Sequence, residues 1–189
     1  MNLNELRDKA YQCAVSHGWH EENLSDEHSL CLVISELMEA VEADRKGMHA
    51  DRGNFEYYMK QKKRNDGEYM YGYQKGIKDT VEDELADACI RLLDLAGLRK
   101  ADLGETNEDE LRCSEGFFDW TFTESIFSIV CDITDLDFFD KYPFDAYLRA
   151  SIRLIMGFAV KRNIDIFWHI EQKMKYNELR PYKHGGRTY

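Results

Sequence analysis

The sequence predicts an all-α protein, and three observations favour that fold class. The 189 residues include only two prolines, so long helices meet few obligatory breaks. Helix-forming residue types such as Leu, Ala, Glu, Lys, Met and Arg are plentiful. Apolar residues also recur at helical spacing in several stretches. With 43% apolar residues the chain is long enough to bury a core, and we expect one domain over residues 1–189.

The first two predicted helices have recognisable ends. Apolar residues recur at helical spacing over residues 3–16, and Gly18 then interrupts the pattern. Ser25 is a suitable N-cap for a second helix over residues 26–46, in which the apolar side chains form one stripe. Glu36 borders that stripe, so it is expected beside the core.

A long segment separates this helix from the next one. Residues 51–79 show no sustained period and contain a basic run at residues 60–64 as well as five tyrosines. We expect a long connection that is helical in part. Thr80 is a suitable N-cap for a third helix that ends near Gly97.

The second half of the chain also reads as helical. A polar segment at residues 101–111 precedes an aromatic-rich region, and helical spacing predicts helices over residues 117–130, 142–160 and 164–179. Residues 101–163 therefore form an additional helical segment before the C-terminal helix.

Charge and cysteine content limit the function classes. The net charge of -11 argues against duplex DNA and anionic membranes as partners. Five cysteines form no CxxC pair, so neither a zinc knuckle nor a disulfide framework is indicated. The N-terminus lacks a signal-peptide pattern, and no apolar stretch is long enough to cross a bilayer. We expect a soluble, cytoplasmic protein without nucleic-acid or membrane partners.

Two short acidic motifs share one local pattern of acid, Leu, spacer, acid and Ala. Glu36 and Glu39 form the first pair, and Glu84 and Asp87 form the second. Acids three residues apart lie on the same helix face, and one such pair alone is typical of a solvated surface. Two pairs on facing helices would make an oxygen cage for Mg²⁺, with Mn²⁺ as an alternative ion. A di-iron bundle would need Glu-x-x-His pairs, which the sequence lacks.

The C-terminal region is basic although the protein is acidic. Lys173, Asn177 and Arg180 fall at i, i+4 and i+7, hence on one face of the predicted helix. A cationic face opposite a metal cage suits the binding of a triphosphate and the departure of pyrophosphate. A solubilising basic terminus is the alternative interpretation.

The two acidic pairs resemble the ExxE and ExxD metal signature of the MazG-type nucleotide pyrophosphohydrolases. These proteins belong to the all-α NTP pyrophosphatase superfamily, which also includes dimeric dUTPases and dCTPases. The context over residues 80–94 and the ending over residues 173–185 are similar to MazG-like members as well. Residues 101–163 match nothing in that family.

Two departures from the family pattern are visible. Members usually join the two acidic pairs by a shorter connection, so residues 51–79 are an insertion by this comparison. The tail has Gly186 and Arg187 where a lysine pair is expected, and Arg187 is a candidate phosphate contact.

The resemblance implies hydrolysis of a nucleoside triphosphate to the monophosphate and pyrophosphate, in cleansing of the nucleotide pool. Water would attack the α-phosphorus, oriented by Glu39 or Glu42. Trp19 or a tyrosine of the insertion would stack on the base, and the protein would be a homodimer or homotetramer. The implied Mg²⁺ ligands are Glu36, Glu39, Glu84 and Asp87, and the implied phosphate contacts are Lys173, Asn177 and Arg180.

Two alternatives belong to other function classes. A catalytically silent nucleotide-binding or regulatory module would keep the acidic cage without turnover, because the insertion blocks or replaces the site. A purely structural helical bundle would neither bind nor hydrolyse nucleotides. An acidic cluster beside the core favours the enzyme, since such a cluster is destabilising without a bound cation.

Overall fold

A computed structural model describes residues 1–60, 65–113, 119–135 and 142–186. Its regular elements are helices, and no strand occurs within these ranges; one isolated bridge joins Asn2 and Glu105. The all-α class is therefore confirmed. The helices are α1 (Leu3–Ser16), α2 (Asp26–Arg45), α3 (Arg52–Met59), α4 (Asp66–Gly76), α5 (Val81–Arg99), α6 (Glu108–Cys113), α7 (Phe122–Ile133), α8 (Phe144–Lys161), α9 (Ile166–Glu178) and α10 (Lys183–Gly186).

Side-chain caps define where the two helices with acidic motifs begin. The Ser25 hydroxyl accepts a hydrogen bond from the His28 N–H, and the Thr80 hydroxyl accepts one from the Asp83 N–H. Both predicted N-caps are thus confirmed, and each satisfies a backbone donor that the first helical turn leaves without a partner. Helix α2 ends at Arg45, one residue before the predicted end.

Gly97 does not end helix α5. This glycine is instead needed for the packing of α1 against α5. A Cβ atom at Gly97 would lie 2.4 Å from the Cβ of Tyr11, so only glycine lets α1 approach α5 this closely. The helix ends at Arg99, and Lys100 follows in the left-handed conformation with φ 57°.

Helix α5 lies at the centre of the fold and contacts α1, α2, α8 and α9. Its side chains Leu85, Leu92 and Leu93 are fully buried. Because neighbours cover α5 on several sides, the acidic residues near its start are held against other helices. This position explains why Glu84 is also buried.

The insertion forms two helices, α3 and α4, which pack against each other. Phe55, Tyr69, Tyr73 and Ile77 form a second apolar cluster with Tyr176 of α9. Burial of these aromatic side chains gives the segment a core of its own, which the expected connection did not include. Part of the predicted basic run, residues 61–64, lies outside the described residues.

Helices of the additional segment, residues 101–163, form part of the main core. Helix α7 begins at Phe122 because Thr121 and Glu124 form a capping box, so it starts later than the predicted residue 117. Residues 117–118 of that prediction lie outside the described residues. Helix α7 packs against α2 and α8, and α8 packs against α5. Within the described ranges, no helix combines the length and apolar character needed to cross a membrane.

Candidate active site

Among the residues that the structure describes, one cleft gathers every predicted site residue except Glu42. It has a volume of about 160 Å³ and is bordered by the end of α1 and by α2, α5 and α9. The predicted residues that line it are Trp19, Glu36, Glu39, Glu84, Asp87, Lys173, Asn177 and Arg180. Acidic motifs 48 residues apart (Glu36 to Glu84) and a basic face near the C-terminus therefore meet at one place.

Glu42 lies outside the cleft, on the exposed surface of α2. Its carboxylate accepts from Arg45 at 3.0 Å and pairs with Lys46 at 3.1 Å. The hydrogen bond from Lys46 is the main reason that the pKa of Glu42 is lowered. Of the two acids proposed to orient water, only Glu39 borders the site.

Three carboxylates converge in the cleft. Glu36, Glu39 and Glu84 each offer one oxygen atom, and these atoms lie within 4.8 Å of one another. Glu36 and Glu84 are buried, while Glu39 is exposed to solvent. Closely placed carboxylate oxygens at the wall of an open cleft fit a hard divalent cation that keeps several water ligands.

The electrostatics of the buried pair also fit a cation. Burial, reinforced by the negative charge of Asp87, raises the pKa of Glu36 to about 7, although Arg91 opposes this shift. Burial raises the pKa of Glu84 to about 8, with Lys173 opposing the shift and Asp83 adding to it. The protein's own cations thus leave these two carboxylates under-neutralised, and a divalent ion would favour their charged form.

Arg91 contacts only one of the two carboxylate oxygens of Glu36. Its Nε and Nη2 atoms both donate to Glu36 Oε1, at 3.0 and 2.8 Å. This contact holds the Glu36 side chain in place while both bonds use a single oxygen. Arg91 was not predicted as a site residue, but it follows Asp87 by four residues and Glu84 by seven, and this spacing on one helix face was the available signal.

Asp87 lies in the cleft but belongs to a different arrangement. Its Oδ2 atom is 3.1 Å from the Nζ of Lys173, whose side chain is buried. Burial alone would raise the pKa of Asp87, yet the charges of Lys173 and Arg91 lower it below its ordinary value. Within the described residues, Asp87 is not among the carboxylates that converge with Glu36.

Lys173 joins α9 to two aspartates of α5. Its Nζ donates to Asp83 Oδ2 at 3.0 Å, in addition to its contact with Asp87. Burial would lower the pKa of Lys173, but Asp87 and Asp83 raise it. The amine predicted to contact phosphate therefore lies between two carboxylates. Sequence reasoning missed Asp83, although it precedes Asp87 by four residues and so shares its helix face.

Asp83 is also tied to the insertion. The hydroxyl of Tyr73 donates to Asp83, and the Tyr73 ring stacks on Tyr176 at a centroid distance of 4.3 Å. Asp79, Asp83 and Glu84 form a second group of nearby carboxylates. Because Asp83 is already bound by Lys173 and Tyr73, the cluster containing Glu36 fits a cation better.

The remaining predicted contacts line the α9 side of the cleft. The Oδ1 atom of Asn177 is buried and has no hydrogen-bond partner in the described part of the chain. The positive charge of Arg180 contributes to the lowered pKa of Asp87, so this guanidinium acts on the same site. An amide and a cation therefore border the carboxylates, as phosphate binding requires. Arg187 lies outside the described residues.

The C-terminal segment holds the turn that carries Trp19. His17 Nε2 donates to the Arg180 carbonyl at 2.9 Å, and the Lys183 N–H donates to the His17 carbonyl at 3.1 Å. Gly18 has φ +79°, and a Cβ atom there would lie 2.5 Å from the Tyr182 ring. These contacts keep Trp19 at the edge of the cleft.

No family model, no curated protein and no solved structure matches the chain. The assignment of a function therefore depends on the geometry of the cleft and on the sequence motifs.

Proposed function

We propose that this protein is a Mg²⁺-dependent nucleotide pyrophosphohydrolase that converts a nucleoside triphosphate to the monophosphate and pyrophosphate. The observation that carries the proposal is the convergence of Glu36, Glu39 and Glu84 within 4.8 Å, in a cleft that also contains Arg180. Hydrolysis of a phosphoanhydride needs charge neutralisation and positioning, which such a cleft supplies.

The carboxylates and the basic helix have separate tasks in this proposal. Glu36, Glu39 and Glu84 would hold Mg²⁺ or Mn²⁺. When bound, the ion supplies positive charge for the phosphoryl oxygens and lowers the pKa of a coordinated water. Arg180 and Asn177 bind phosphate oxygens from the α9 side. Glu39, as the solvent-facing acid of the cluster, orients the attacking water.

The decisive experiment measures pyrophosphate release from a panel of NTPs and dNTPs in the presence of Mg²⁺. We expect Glu84→Gln to reduce kcat by about 100-fold or more, since the amide replaces an anionic metal ligand by a neutral group of the same size. Glu42→Gln is the matched control, because Glu42 lies on the surface of α2 and outside the cleft. No pyrophosphate from the wild type, or full activity in Glu84→Gln, would reject the proposal.

A second candidate is a nucleotide-binding module without turnover. The contacts of Arg91 with Glu36 and of Lys173 with Asp87 favour it, because they neutralise part of the acidic cluster without a metal. A rise in melting temperature with Mg²⁺ and nucleotide, without product formation, would select this function. The homodimer or homotetramer implied by the resemblance remains a prediction that light scattering tests.

A further inference from the structure

A second cavity adjoins the carboxylate cleft. It has a volume of about 230 Å³ and lies between the turn after α1, the start of α2 and the far half of α5. Trp19, Arg91 and Asp94 line both spaces, so the two are direct neighbours. We call this second space the Asp94 cavity.

The Asp94 cavity combines apolar walls with polar side chains from the turn after α1, the start of α2 and α5. Leu24, Leu32 and Leu98 provide apolar walls, and the half-buried indole of Trp19 stands where the two spaces meet. Flat heteroaromatic rings pack well between aliphatic and aromatic side chains. The walls therefore suit a nucleobase better than a phosphate chain.

Asp94 is a fixed hydrogen-bond acceptor in this cavity. Its Oδ1 atom accepts from His20 Nε2 at 2.7 Å, and the His20 ring in turn packs on Tyr11 at a centroid distance of 5.1 Å. Asp94 follows Asp87 by seven residues on α5, so it lies on the same face about 10 Å farther along the axis. That separation is on the scale of the sugar and base of a nucleotide.

The charge distribution orients a nucleotide between the two spaces. Glu22 and Glu21, of which Glu21 pairs with Lys183 at 3.1 Å, border the Asp94 cavity, and Arg180 borders the carboxylate cleft on its α9 side. An anionic polyphosphate is repelled by the acidic turn and attracted to Arg180. The base, which is neutral, then occupies the Asp94 side.

We propose that the Asp94 cavity binds the nucleobase of the substrate, and that Asp94 selects bases with an exocyclic amino group over uracil and thymine. This inference rests on the proposed function. An ionised carboxylate only accepts hydrogen bonds, so it pairs with the amino group of cytosine, adenine or guanine. At the position of that amino group uracil and thymine carry carbonyl oxygens, which offer the carboxylate no donor and repel it.

The test compares kcat/KM for dCTP, dATP and dGTP with that for dUTP and dTTP. We expect the wild type to favour the amino-bearing bases by about 10-fold or more. In Asp94→Asn this preference falls to near unity, because an amide offers both a donor and an acceptor. Asp132→Asn, on α7 away from both spaces, is the matched control and keeps the wild-type ratio. Equal rates in the wild type, or an unchanged ratio in Asp94→Asn, overturn the inference.

Two further variants keep the test independent of folding defects. His20→Ala removes the donor that fixes the Asp94 carboxylate, so the preference for amino-bearing bases weakens but stays above that of Asp94→Asn. Trp19→Ala removes a wall that every base contacts, so it lowers kcat/KM for all five substrates in parallel. A loss of preference in Trp19→Ala with none in Asp94→Asn contradicts the role of Asp94.

A binding measurement separates this inference from the proposed hydrolysis. The probes are dCMP and dUMP, which need no turnover, and the readout is the rise in melting temperature at equal ligand concentration. A larger rise with dCMP, lost in Asp94→Asn, supports the inference even if no triphosphate is hydrolysed. Equal shifts with the two nucleotides overturn it while leaving the hydrolysis proposal intact.

Discussion

The acids of α5 have the same local pattern in the sequence, but in the structure they form two groups with different surroundings. Asp83 and Asp87 contact a buried lysine, Lys173, at 3.0 and 3.1 Å. Glu84, between them in the chain, instead turns towards Glu36 and remains under-neutralised. Neighbouring carboxylates on one helix thus serve stability and ligand binding separately, according to whether the fold brings a cation to them.

The largest expected effect comes from removing that cation. Lys173→Met leaves Asp83 and Asp87 without their amine in a buried setting, and we expect the free energy of unfolding to fall by about 3–5 kcal/mol. Urea unfolding measures this loss. Lys9→Met, at an exposed position of α1, is the control and should leave stability unchanged. A loss below about 1 kcal/mol, the scale of an exposed ion pair, would mean that Lys173 does not stabilise the fold.

The pH dependence tests the other group. The pKa values of Glu36 and Glu84, about 7 and about 8, lie above the ordinary value of 4.5. The metal-free folded protein therefore binds more protons than the unfolded chain in this window. The stability that these two carboxyl groups contribute is fully present below pH 4.5 and is lost as pH rises through about 7 to 8, a loss of several kcal/mol.

Mg²⁺ should reverse this loss, because it favours the charged carboxylates in the folded state alone. The measurement is urea unfolding as a function of pH, once with EDTA and once with Mg²⁺. The double variant Glu36→Gln, Glu84→Gln should remove both the slope and the Mg²⁺ effect. If the wild type is equally stable across this pH range in EDTA, the two carboxylates are not the under-neutralised group described above.

The smallest expected effect concerns the link between Asp83 and the insertion. Tyr73→Phe removes the hydroxyl that donates to Asp83, and we expect a loss of about 2 kcal/mol in unfolding free energy. Mg²⁺ affinity should stay unchanged, since this contact belongs to the lysine-bound group. Tyr71→Phe, at an exposed position, serves as control. A change in Mg²⁺ affinity as large as the change in stability would show that the two groups are not separate.

The local parts of the site were predictable because helix geometry is local. A spacing of three residues puts Glu36 and Glu39 on one face whatever the rest of the chain does. The same geometry explains why Glu42 lies outside the cleft. Six residues after Glu36 the helix has turned by about 600°, which leaves Glu42 about 120° away from it.

The partners of these acids were beyond sequence reasoning. Lys173 is 90 residues from Asp83, and His20 is 74 residues from Asp94. Lys173 fits a phosphate contact equally well by spacing, since nothing local indicates that two aspartates bind its amine. The insertion was likewise expected to be a connection that is only helical in part, because its order depends on burial of Tyr73 against Tyr176 of a distant helix.

The sequence by itself determined that the chain is helical, where several helices begin, and which acids share a face. Only the tertiary structure decided which of those acids pair with a cationic side chain and which remain exposed to the cleft. The physical reason is that periodicity and capping act within a few residues, whereas burial and ion pairing depend on segments that meet only when the chain is folded.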